Sequence, residues 1–360
     1  MNSHSPQFFM SEALRLAEKA LFTTSPNPRV GCIIVKDNVI VGQGYHIKSG
    51  DPHAEVIALQ EAGEKSYGSD VYVTLEPCTH FGKTPPCVDA LIKAKVKKVF
   101  IAMQDPNPIV SGHGIHKLKD AHIEVDIGVM EAQAQALNAG FISRMTKKIP
   151  YVKAKLAVSL DGKTALKNGK SQWITGEEAR QDVQHWRASA CAIITGIGTV
   201  LHDNPKLSVR LDDNARQPLR VVVDSDLKIP LDAAMLNEKP LLIVYANDNE
   251  EKLTQLKSLD VECIKLNDHG KVNLLALLTL LGEREMNDVW IEAGEGLNGA
   301  FLKENLIDEL VIYYAPVIFG SEAKGMFVLP EYENLEHKVH TTLIDHRWIG
   351  KDLRMRFKLK

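Results

Sequence analysis

Residues 70–87 read DVYVTLEPCTHFGKTPPC, and this stretch decides which fold the N-terminal part of the chain can adopt. Its first six residues are typical of a buried strand. Cys78 follows that strand, and Cys87 follows two prolines at the predicted start of a helix. Upstream, the segment 53–55 (His-Ala-Glu) opens another predicted helix. Two thiolates and one imidazole suit Zn²⁺, and three protein ligands leave a fourth position open for water, as in catalytic zinc sites.

Glu55 adds the proton-transfer group that hydrolysis at such a site requires. Zinc lowers the pKa of a bound water toward about 7, and zinc deaminases carry His-x-Glu followed by Pro-Cys-x-x-Cys, with the glutamate as acid and base. The chain matches His-x-Glu and Pro-Cys but places eight residues, not two, between its cysteines. We predict a zinc-dependent deaminase with His53, Cys78 and Cys87 as metal ligands and Glu55 as the catalytic residue.

Other interpretations of these residues stay open at this point. His-x-Glu and Pro-Cys each occur often by chance. A closed structural zinc site would need a fourth ligand, and His80 is the nearest candidate in the sequence. A deaminase acting on a flipped nucleic-acid base would share the same residues. A zinc-binding module without catalysis, joined to a binding domain, is a further alternative.

The composition limits the classes of protein to consider. A length of 360 residues predicts two domains, and 44% hydrophobic with 25% charged residues is ordinary for a globular protein. The net charge of −3 lacks the basic surplus typical of nucleic-acid binding. We find no apolar run long enough for a membrane span and no secretory signal pattern. Five cysteines do not form a disulfide framework, so we expect a cytoplasmic, reducing location.

The order of the predicted elements indicates an α/β fold in both parts of the chain. The N-terminal part contains a hairpin of strands 30–35 and 39–45. Its other predicted elements are helices 8–22, 54–65, 86–94 and 130–140, a helix after the loop 104–114, and strands 70–75, 97–102 and 122–127. A polar connector is predicted at 143–150, which gives domains 1–147 and 148–360. The second domain has predicted strands 151–159, 191–195, 219–224, 241–245, 288–292 and 309–315, and helices 176–188, 271–281 and 297–304.

A glycine-rich segment follows the predicted strand 288–292. Residues 294–299 read GEGLNG, and such glycines let backbone N–H groups approach a phosphate at a helix start. A dinucleotide-binding Rossmann domain would place this segment after its first strand. Here it comes near the sixth strand, so we reject that fold. Gly294, Gly296 and Gly299 remain candidates for cofactor binding, and a tight turn without a ligand is the alternative.

Several motifs resemble those of the bifunctional riboflavin-biosynthesis deaminase/reductase family. They occupy residues 26–32, 53–55, 74–80, 84–87, 104–108, 155–157, 159–163, 171–175 and 292–294. The resemblance covers essentially the whole chain, and the long cysteine spacing is part of it. It implies an N-terminal cytidine-deaminase-like mixed sheet with helices, followed by a C-terminal dihydrofolate-reductase-like α/β domain.

The resemblance also implies two reactions. The first is zinc-dependent hydrolytic deamination of 2,5-diamino-6-(5-phosphoribosylamino)pyrimidin-4(3H)-one. The second is NADPH-dependent reduction of the ribosyl side chain of 5-amino-6-(5-phosphoribosylamino)uracil to ribityl. The expected cofactors are therefore Zn²⁺ and NADPH. The expected partners are small phosphorylated pyrimidines and further copies of the chain in a homo-oligomer, with no nucleic acid and no membrane.

The resemblance further implies which residues bind these molecules. In the deaminase half the substrate-binding residues are Asn27, His46, Lys83, Asp105 and Asn107. In the reductase half the cofactor-binding residues are Ala157, Trp173, Thr199, Asp203 and Ser225, and the substrate-binding residues are Ser171, Arg187, Leu207, Arg210 and Glu292. Arg187 and Arg210 suit a phosphate because a guanidinium binds it bidentately. Lys155 joins the substrate set as a polar group near a strand end, and the proton donor of the reduction stays open.

Overall fold

The computed structural model describes residues 4–79, 85–108, 110–211, 216–331 and 333–359. The chain divides into two compact units, Met1–Lys148 and Ile149–Lys360. Among the described residues, no helix has the length and hydropathy to cross a membrane.

The first unit is a mixed five-stranded sheet with helices. In chain order its elements are α1 (Pro6–Glu18), β1 (Gly31–Lys36), β2 (Val39–Tyr45), α2 (Ala54–Ala62), β3 (Asp70–Val73), α3 (Cys87–Lys93), β4 (Lys98–Ile101), α4 (His113–Asp120), β5 (Glu124–Ile127), α5 (Glu131–Leu137) and α6 (Ala139–Lys147). The strand order is β2-β1-β3-β4-β5. Strands β3, β4 and β5 are parallel, and β1 is antiparallel to both of its neighbours.

The predicted hairpin of β1 and β2 is confirmed, and it fixes the position of α2. Asp37 and Asn38 have φ angles of 49° and 64°, the left-handed conformation that matches the twist of two-residue hairpins. A Cβ on Gly42 would lie 2.2 Å from the Ala58 carbonyl oxygen of α2. The backbone of α2 therefore lies directly on β2, which sets the location of the helix start that follows His53.

The end of the first unit differs from the prediction. One helix was expected at 130–140 and a polar connector at 143–150, but two helices, α5 and α6, cover residues 131–147. They meet at Asn138, whose side chain accepts from the Arg29 backbone N–H and donates to the Arg29 carbonyl. Phe141 and Ser143 are buried. The polar segment is therefore one face of a packed helix.

The second unit is built on a nine-stranded sheet. Its elements are β6 (Tyr151–Ser159), α7 (Glu177–Ser189), β7 (Ala192–Gly196), α8 (Ile197–Asp203), β8 (Leu219–Val223), β9 (Leu241–Tyr245), α9 (Glu250–Ser258), β10 (Glu262–Lys265), β11 (Asn267–Asp268), β12 (Lys271–Val272), α10 (Leu274–Glu283), β13 (Asp288–Ile291), α11 (Glu295–Lys303), β14 (Glu309–Ala315), β15 (Thr341–Ile349) and β16 (Asp352–Leu359). The strand order is β10-β9-β8-β7-β13-β6-β14-β16-β15. In this sheet the neighbouring strands β10, β9, β8, β7, β13, β6 and β14 are parallel, and β16 and β15 are added antiparallel. Strands β11 and β12 form a separate antiparallel pair.

Strand β6 shows how the sheet separates core from site. Val152, Ala154, Leu156 and Val158 alternate along it and are buried in one apolar cluster. Successive side chains of a strand point to opposite faces, so Lys155 and its neighbours at alternate positions face the other side. That other side carries α7, and the polar residues of the second candidate site lie there.

Two candidate active sites

Three metal-binding side chains meet at the ends of secondary-structure elements in the first unit. His53 immediately precedes α2, Cys87 begins α3, and Cys78 follows β3. His53 Nδ1 lies 3.2 Å from Cys87 Sγ and 3.5 Å from Cys78 Sγ. The ligand atoms all lie within 4.8 Å of one another, and no second group of this kind occurs among the described residues. One imidazole and two sulfurs at this spacing fit a zinc ion.

The three ligand side chains shift one another's pKa values. The pKa of Cys78 is lowered because the Cys87 thiol, and after it His53, donate to its sulfur. The pKa of Cys87 is raised, first by the same thiol pair and then by burial. The pKa of His53 is raised by its hydrogen bond with Cys78. The hydrogen bonds from Cys87 and His53 therefore favour the thiolate form of Cys78, and a cation of charge +2 would favour the second thiolate.

Glu55 lies in the first turn of α2 and is 3% exposed. Burial, and then the charge of Cys78, raise its pKa to about 7, while His53 acts in the opposite direction. The charged groups acting on this carboxyl group are thus the metal ligands themselves. A carboxyl group with a pKa near neutrality, two residues from a ligand, suits transfer of protons to and from a reacting water.

Two of the predicted substrate residues lie next to the metal ligands. The His46 ring lies 5.2 Å from the His53 ring, centroid to centroid. His46 Nδ1 is 3.2 Å from the Pro52 carbonyl, which can only accept, so Nδ1 carries the proton. Its Nε2 then accepts from Asn27 Nδ2 at 3.0 Å. Burial lowers the pKa of His46, which keeps the ring neutral and the Asn27 amide oriented.

A second pair of predicted residues lies on the loop after β4. Asp105 is 7% exposed and accepts from the Asn107 backbone N–H at 2.8 Å. Burial raises the pKa of Asp105 to about 6, with further contributions from Glu76 and Cys78. Lys83 and the alternative ligand His80 lie outside the described residues.

The second unit holds a cluster of charged residues around Glu292, which follows β13. Arg187 of α7 donates to both carboxylate oxygens, at 2.6 and 3.0 Å. Lys155 Nζ lies 3.9 Å from the carboxylate. The indole N–H of Trp290 donates to Glu292 Oε1 at 3.0 Å, and Trp290 stacks on Trp186 of α7 at 5.4 Å. Sequence reasoning assigned no role to Trp290; its position two residues before Glu292 on the same strand was the available signal.

Arg187 and Lys155 fix the negative charge of Glu292. Burial opposes ionisation of Glu292, but the charge and hydrogen bonds of Arg187, assisted by Lys155, lower its pKa to about 2. Burial lowers the pKa of Lys155, and Glu292 partly offsets this. Glu292 is therefore a permanent anion, and Lys155 is the member of the cluster that releases a proton more readily than usual.

The predicted cofactor residues follow adjacent strands. Thr199 and Asp203 belong to α8, which follows β7; Ser225 follows β8; and Gly294 precedes α11, which follows β13. Because β8, β7 and β13 are neighbours and parallel, their carboxyl ends meet at one edge of the sheet, where ligands of open α/β sheets bind. A Cβ on Gly196 would lie 3.3 Å from Leu297, so α8 and α11 begin side by side.

The glycines of residues 294–299 differ in their surroundings. A Cβ on Gly294 or Gly296 would have no heavy atom within 4 Å, so both face open space. A Cβ on Gly299 would lie 2.1 Å from the Val328 carbonyl oxygen. The close packing of the residues around Val328 against α11 therefore requires glycine at position 299, and the cofactor contact predicted for Gly299 stays a prediction.

The other predicted reductase residues are placed with varying closeness to the Glu292 cluster. Leu207 precedes Ser208, and Arg210 lies two residues after it. The Ser208 carbonyl accepts from Arg187 at 3.2 Å. Ala157 lies two residues beyond Lys155 and shares its face of β6. Trp173 is 71% exposed and lies 4.6 Å from the Arg180 guanidinium. Ser171 lies on the same loop between β6 and α7.

Comparisons with known proteins agree with both halves of this description. Residues 3–103 match the family described as the cytidine and deoxycytidylate deaminase zinc-binding region, and residues 150–355 match the RibD C-terminal domain. A riboflavin biosynthesis protein RibD of Escherichia coli (strain K12) is 44% identical over 360 residues, which cover 96% of this chain and 97% of that protein. A RibD of Aquifex aeolicus (strain VF5) is 45% identical, covering 87% of each chain.

Solved structures match over nearly the full length. Acinetobacter baumannii RibD superposes with a TM-score of 0.90 at 45% identity, covering 99% of each chain. A diaminohydroxyphosphoribosylaminopyrimidine deaminase/5-amino-6-(5-phosphoribosylamino)uracil reductase of Thermotoga maritima gives a TM-score of 0.86 at 32% identity, again covering 99% of each.

The fold and the two sites define a bifunctional enzyme, a zinc-dependent deaminase joined to an NADPH-dependent reductase. The deaminase unit has the predicted cytidine-deaminase-like mixed sheet, and the second unit has the predicted dihydrofolate-reductase-like fold. The chain belongs to the RibD family of riboflavin-biosynthesis proteins.

Proposed function

We propose that the chain catalyses two consecutive steps of riboflavin biosynthesis on small phosphorylated pyrimidines. The first unit removes the 2-amino group of 2,5-diamino-6-(5-phosphoribosylamino)pyrimidin-4(3H)-one. The second unit reduces the ribosyl side chain of the product to ribityl with NADPH. The observation that carries the proposal is the meeting of His53, Cys78 and Cys87 within 4.8 Å beside the buried Glu55.

In the deaminase site, His53, Cys78 and Cys87 hold the metal, and Glu55 moves the protons. Zn²⁺ in this donor set supplies a hydroxide nucleophile at neutral pH, because it lowers the pKa of bound water toward about 7. Glu55 would take one proton from the attacking water and pass it to the ring nitrogen, and would then move a second proton, that of the new C2 hydroxyl group, to the departing amino group. A C–O bond forms at C2, the C–N bond breaks, and ammonia leaves.

Around this centre, residues with fixed hydrogen bonds recognise the pyrimidine. Asn27 donates to His46, so its amide oxygen remains as an acceptor for a ring or amino N–H. Asp105 and Asn107 form one loop turn beside Cys78 and supply further polar groups. Lys83 is assigned to the same pocket from its motif, as a cation for the substrate phosphate.

In the reductase site, Glu292 orients the charged groups around it, and we propose Lys155, whose Nζ lies 3.9 Å from that carboxylate, as the proton donor. NADPH supplies the hydride that reduces the opened ribose or its imine. This reduction also needs a proton at oxygen or nitrogen. Glu292, with a pKa of about 2, holds no proton at neutral pH, whereas the pKa of the Lys155 ammonium is lowered. Arg187 and Arg210 are assigned to the substrate together with Ser171 and Leu207.

The residues that would hold the cofactor lie at the edge where β8, β7 and β13 end. Thr199, Asp203 and Ser225 follow the first two of these strands, and the exposed Gly294 and Gly296 begin α11, where backbone N–H groups and the helix dipole favour a phosphate. Ala157 and Trp173 are assigned to the nicotinamide nucleotide from their motifs.

The division of labour follows the two units, with residues 1–147 as the deaminase domain and 148–360 as the reductase domain. The enzyme is placed in the cytoplasm, where its cysteines stay reduced, and it forms a homo-oligomer.

One experiment tests both reactions separately. Zinc-loaded protein is incubated with the diaminopyrimidinone phosphate, and ammonia release is followed without NADPH. NADPH is then added, and its absorbance is followed. We expect ammonia first and NADPH oxidation afterwards. Absence of ammonia would refute the deaminase assignment, and absence of NADPH oxidation after deamination would refute the reductase assignment.

A further inference from the structure

Glu76 is a buried carboxylate next to the metal site that neither reaction above uses. It is 3% exposed and lies between β3 and the metal ligand Cys78. Its Oε2 accepts from the backbone N–H groups of Asp105 and Gly112, at 3.2 and 3.0 Å. Its Oε1 accepts from those of Gly114 and Ile115, at 2.9 and 3.3 Å. Each oxygen thus accepts two hydrogen bonds.

These donors enclose one segment of the chain. Asp105 stands at the beginning of residues 105–115, and Gly112, Gly114 and Ile115 stand at the end. Both ends of this loop are therefore bound to the same carboxylate. The loop carries Asp105 and Asn107, and Asp105 itself accepts from the Asn107 backbone N–H.

The end of the loop is also the start of α4, and Glu76 substitutes for a local helix cap. The residue before α4 is Gly112, with φ of 80° and no side chain to accept from the first turn. Unpaired N–H groups at a helix start need an acceptor, and a carboxylate interacts favourably with the helix dipole there. A Cβ on Gly114 would lie 2.3 Å from the Pro77 carbonyl oxygen. The close approach of α4 to residues 76–77 therefore requires glycine.

We propose that Glu76 is a positioning residue of the deaminase site: it fixes the loop 105–115, with Asp105 and Asn107, at a set distance from the metal ligand Cys78. This inference rests on the proposed assignment of Asp105 and Asn107 to substrate binding. Its physical basis is that one rigid carboxylate, two residues from Cys78, holds both ends of the loop. Without the hydrogen bonds to Glu76, the loop would adopt the substrate-binding conformation only part of the time. The apparent affinity for the substrate would fall in proportion to the population of that conformation.

The variant Glu76→Gln tests the role while preserving size. One side-chain oxygen still accepts its two hydrogen bonds. The amide NH₂ group faces the other two backbone N–H donors and cannot accept from them. We expect the deaminase KM to rise about 10-fold or more. The kcat should change by less than about threefold. The bound zinc and the reductase activity of the same chain on the deaminated substrate should stay unchanged.

A matched control is Gln104→Ala. Gln104 donates to the Ser111 side chain at 3.1 Å, an exposed bond that crosses the same loop without involving Glu76. We expect its KM to stay close to that of the unaltered enzyme. Equal effects of both substitutions, unchanged kinetics of Glu76→Gln, or loss of zinc together with activity would overturn the proposal.

Hydrogen exchange of the unaltered, zinc-loaded protein tests the same geometry without any variant. The backbone amides of Gly112, Gly114 and Ile115 should exchange slowly, although amides at a helix start usually exchange fast. Rapid exchange there would refute the role even if Glu76→Gln fails to fold. If the unaltered enzyme releases no ammonia, the proposed function fails instead, and the exchange measurement still decides the role of Glu76.

Discussion

Glu55 and Glu292 are the same residue type, and each is buried in the site of its own unit. Their pKa values are shifted in opposite directions from that of an ordinary glutamate. Burial and the Cys78 charge raise the pKa of Glu55 to about 7. Arg187 and Lys155 overcome the same burial effect at Glu292 and lower its pKa to about 2.

The difference lies in which group supplies the positive charge near each glutamate. At Glu292 the fold itself supplies a guanidinium, so the carboxylate is a fixed anion that orients other groups. At Glu55 the opposing positive charge is that of His53, itself a metal ligand, and it does not outweigh burial, so the carboxyl group can both accept and release a proton. A buried glutamate is therefore suited to acid–base chemistry when its counter-charge is not a permanent side chain.

The largest expected effect comes from removing the carboxyl group of Glu55, which exchanges protons during deamination. Glu55→Gln should lower the deaminase kcat by about 100- to 10,000-fold, because it removes general acid–base catalysis. Zinc content and reductase activity should be retained, and both are measured in the same preparation by elemental analysis and NADPH oxidation. A variant that still releases ammonia at the original rate would contradict the role of Glu55.

The second largest effect is expected from removing Arg187, the permanent cation beside Glu292. Arg187→Met leaves Glu292 buried with Lys155 as its nearby cation and should destabilise the second unit by about 3–5 kcal/mol, measured by chemical denaturation. The matched control is Arg284→Met, which breaks the more exposed bidentate pair with Glu262 and should cost at most about 1 kcal/mol. Equal losses of stability in the two variants would show that burial of the Arg187–Glu292 pair does not increase its contribution to stability.

The third effect is a dependence of stability on pH. The folded-state pKa of Glu292 is about 2, below the ordinary 4.5. Its ionised form therefore stabilises the fold above pH 4.5, and this contribution, about 3 kcal/mol, is lost as the pH falls toward 2. Denaturation of the second unit between these pH values should show a shallower pH dependence in Glu292→Gln than in the unaltered protein. Parallel curves would exclude the low pKa.

The smallest effect concerns the orientation of Glu292. Trp290→Phe keeps an aromatic ring against Trp186 but removes the N–H donated to Glu292. We expect the reductase kcat/KM to fall about fivefold, the value of one hydrogen bond of about 1 kcal/mol. Trp186→Phe is the control, because it removes an indole N–H that donates to Asp182 instead. A larger loss in the control would place the important bond at Asp182.

The sequence predicted the zinc site well because each part of it is local. His53 and Cys87 stand at helix starts and Cys78 stands after an apolar strand, and each of these elements has a clear pattern. The same holds for β1, β2, β6, β9 and β14, whose bounds match their predicted ranges within one residue. The meeting of the three ligands followed from the spacing of the metal-binding residue types.

The strands β15 and β16 were missed although they form a tight hairpin, in which Ile349 pairs with Asp352, and although residues 352–359 alternate as a half-buried strand does. The role of Glu76 was missed because its partners are distant in the sequence. Residues 352–359 alternate charged and apolar side chains, and Arg354 is buried only because Asp182 and Asp345 receive it. The pairing of Arg354 with Asp182, which lies 172 residues earlier, has no local signal in the sequence. Glu76 likewise accepts from backbone groups of residues 105–115, which carry no side-chain signal.

The strand order of the second unit has a consequence for synthesis on the ribosome. Strand β6 comes first in this unit, yet it lies between β13 and β14, which begin only at Asp288 and Glu309. A nascent chain can complete its metal-binding half early, whereas the central strand of the other half waits unpaired until most of the polypeptide has emerged. Exposed strand edges invite association between chains, so we expect the reductase half to limit the yield of folded enzyme during rapid translation.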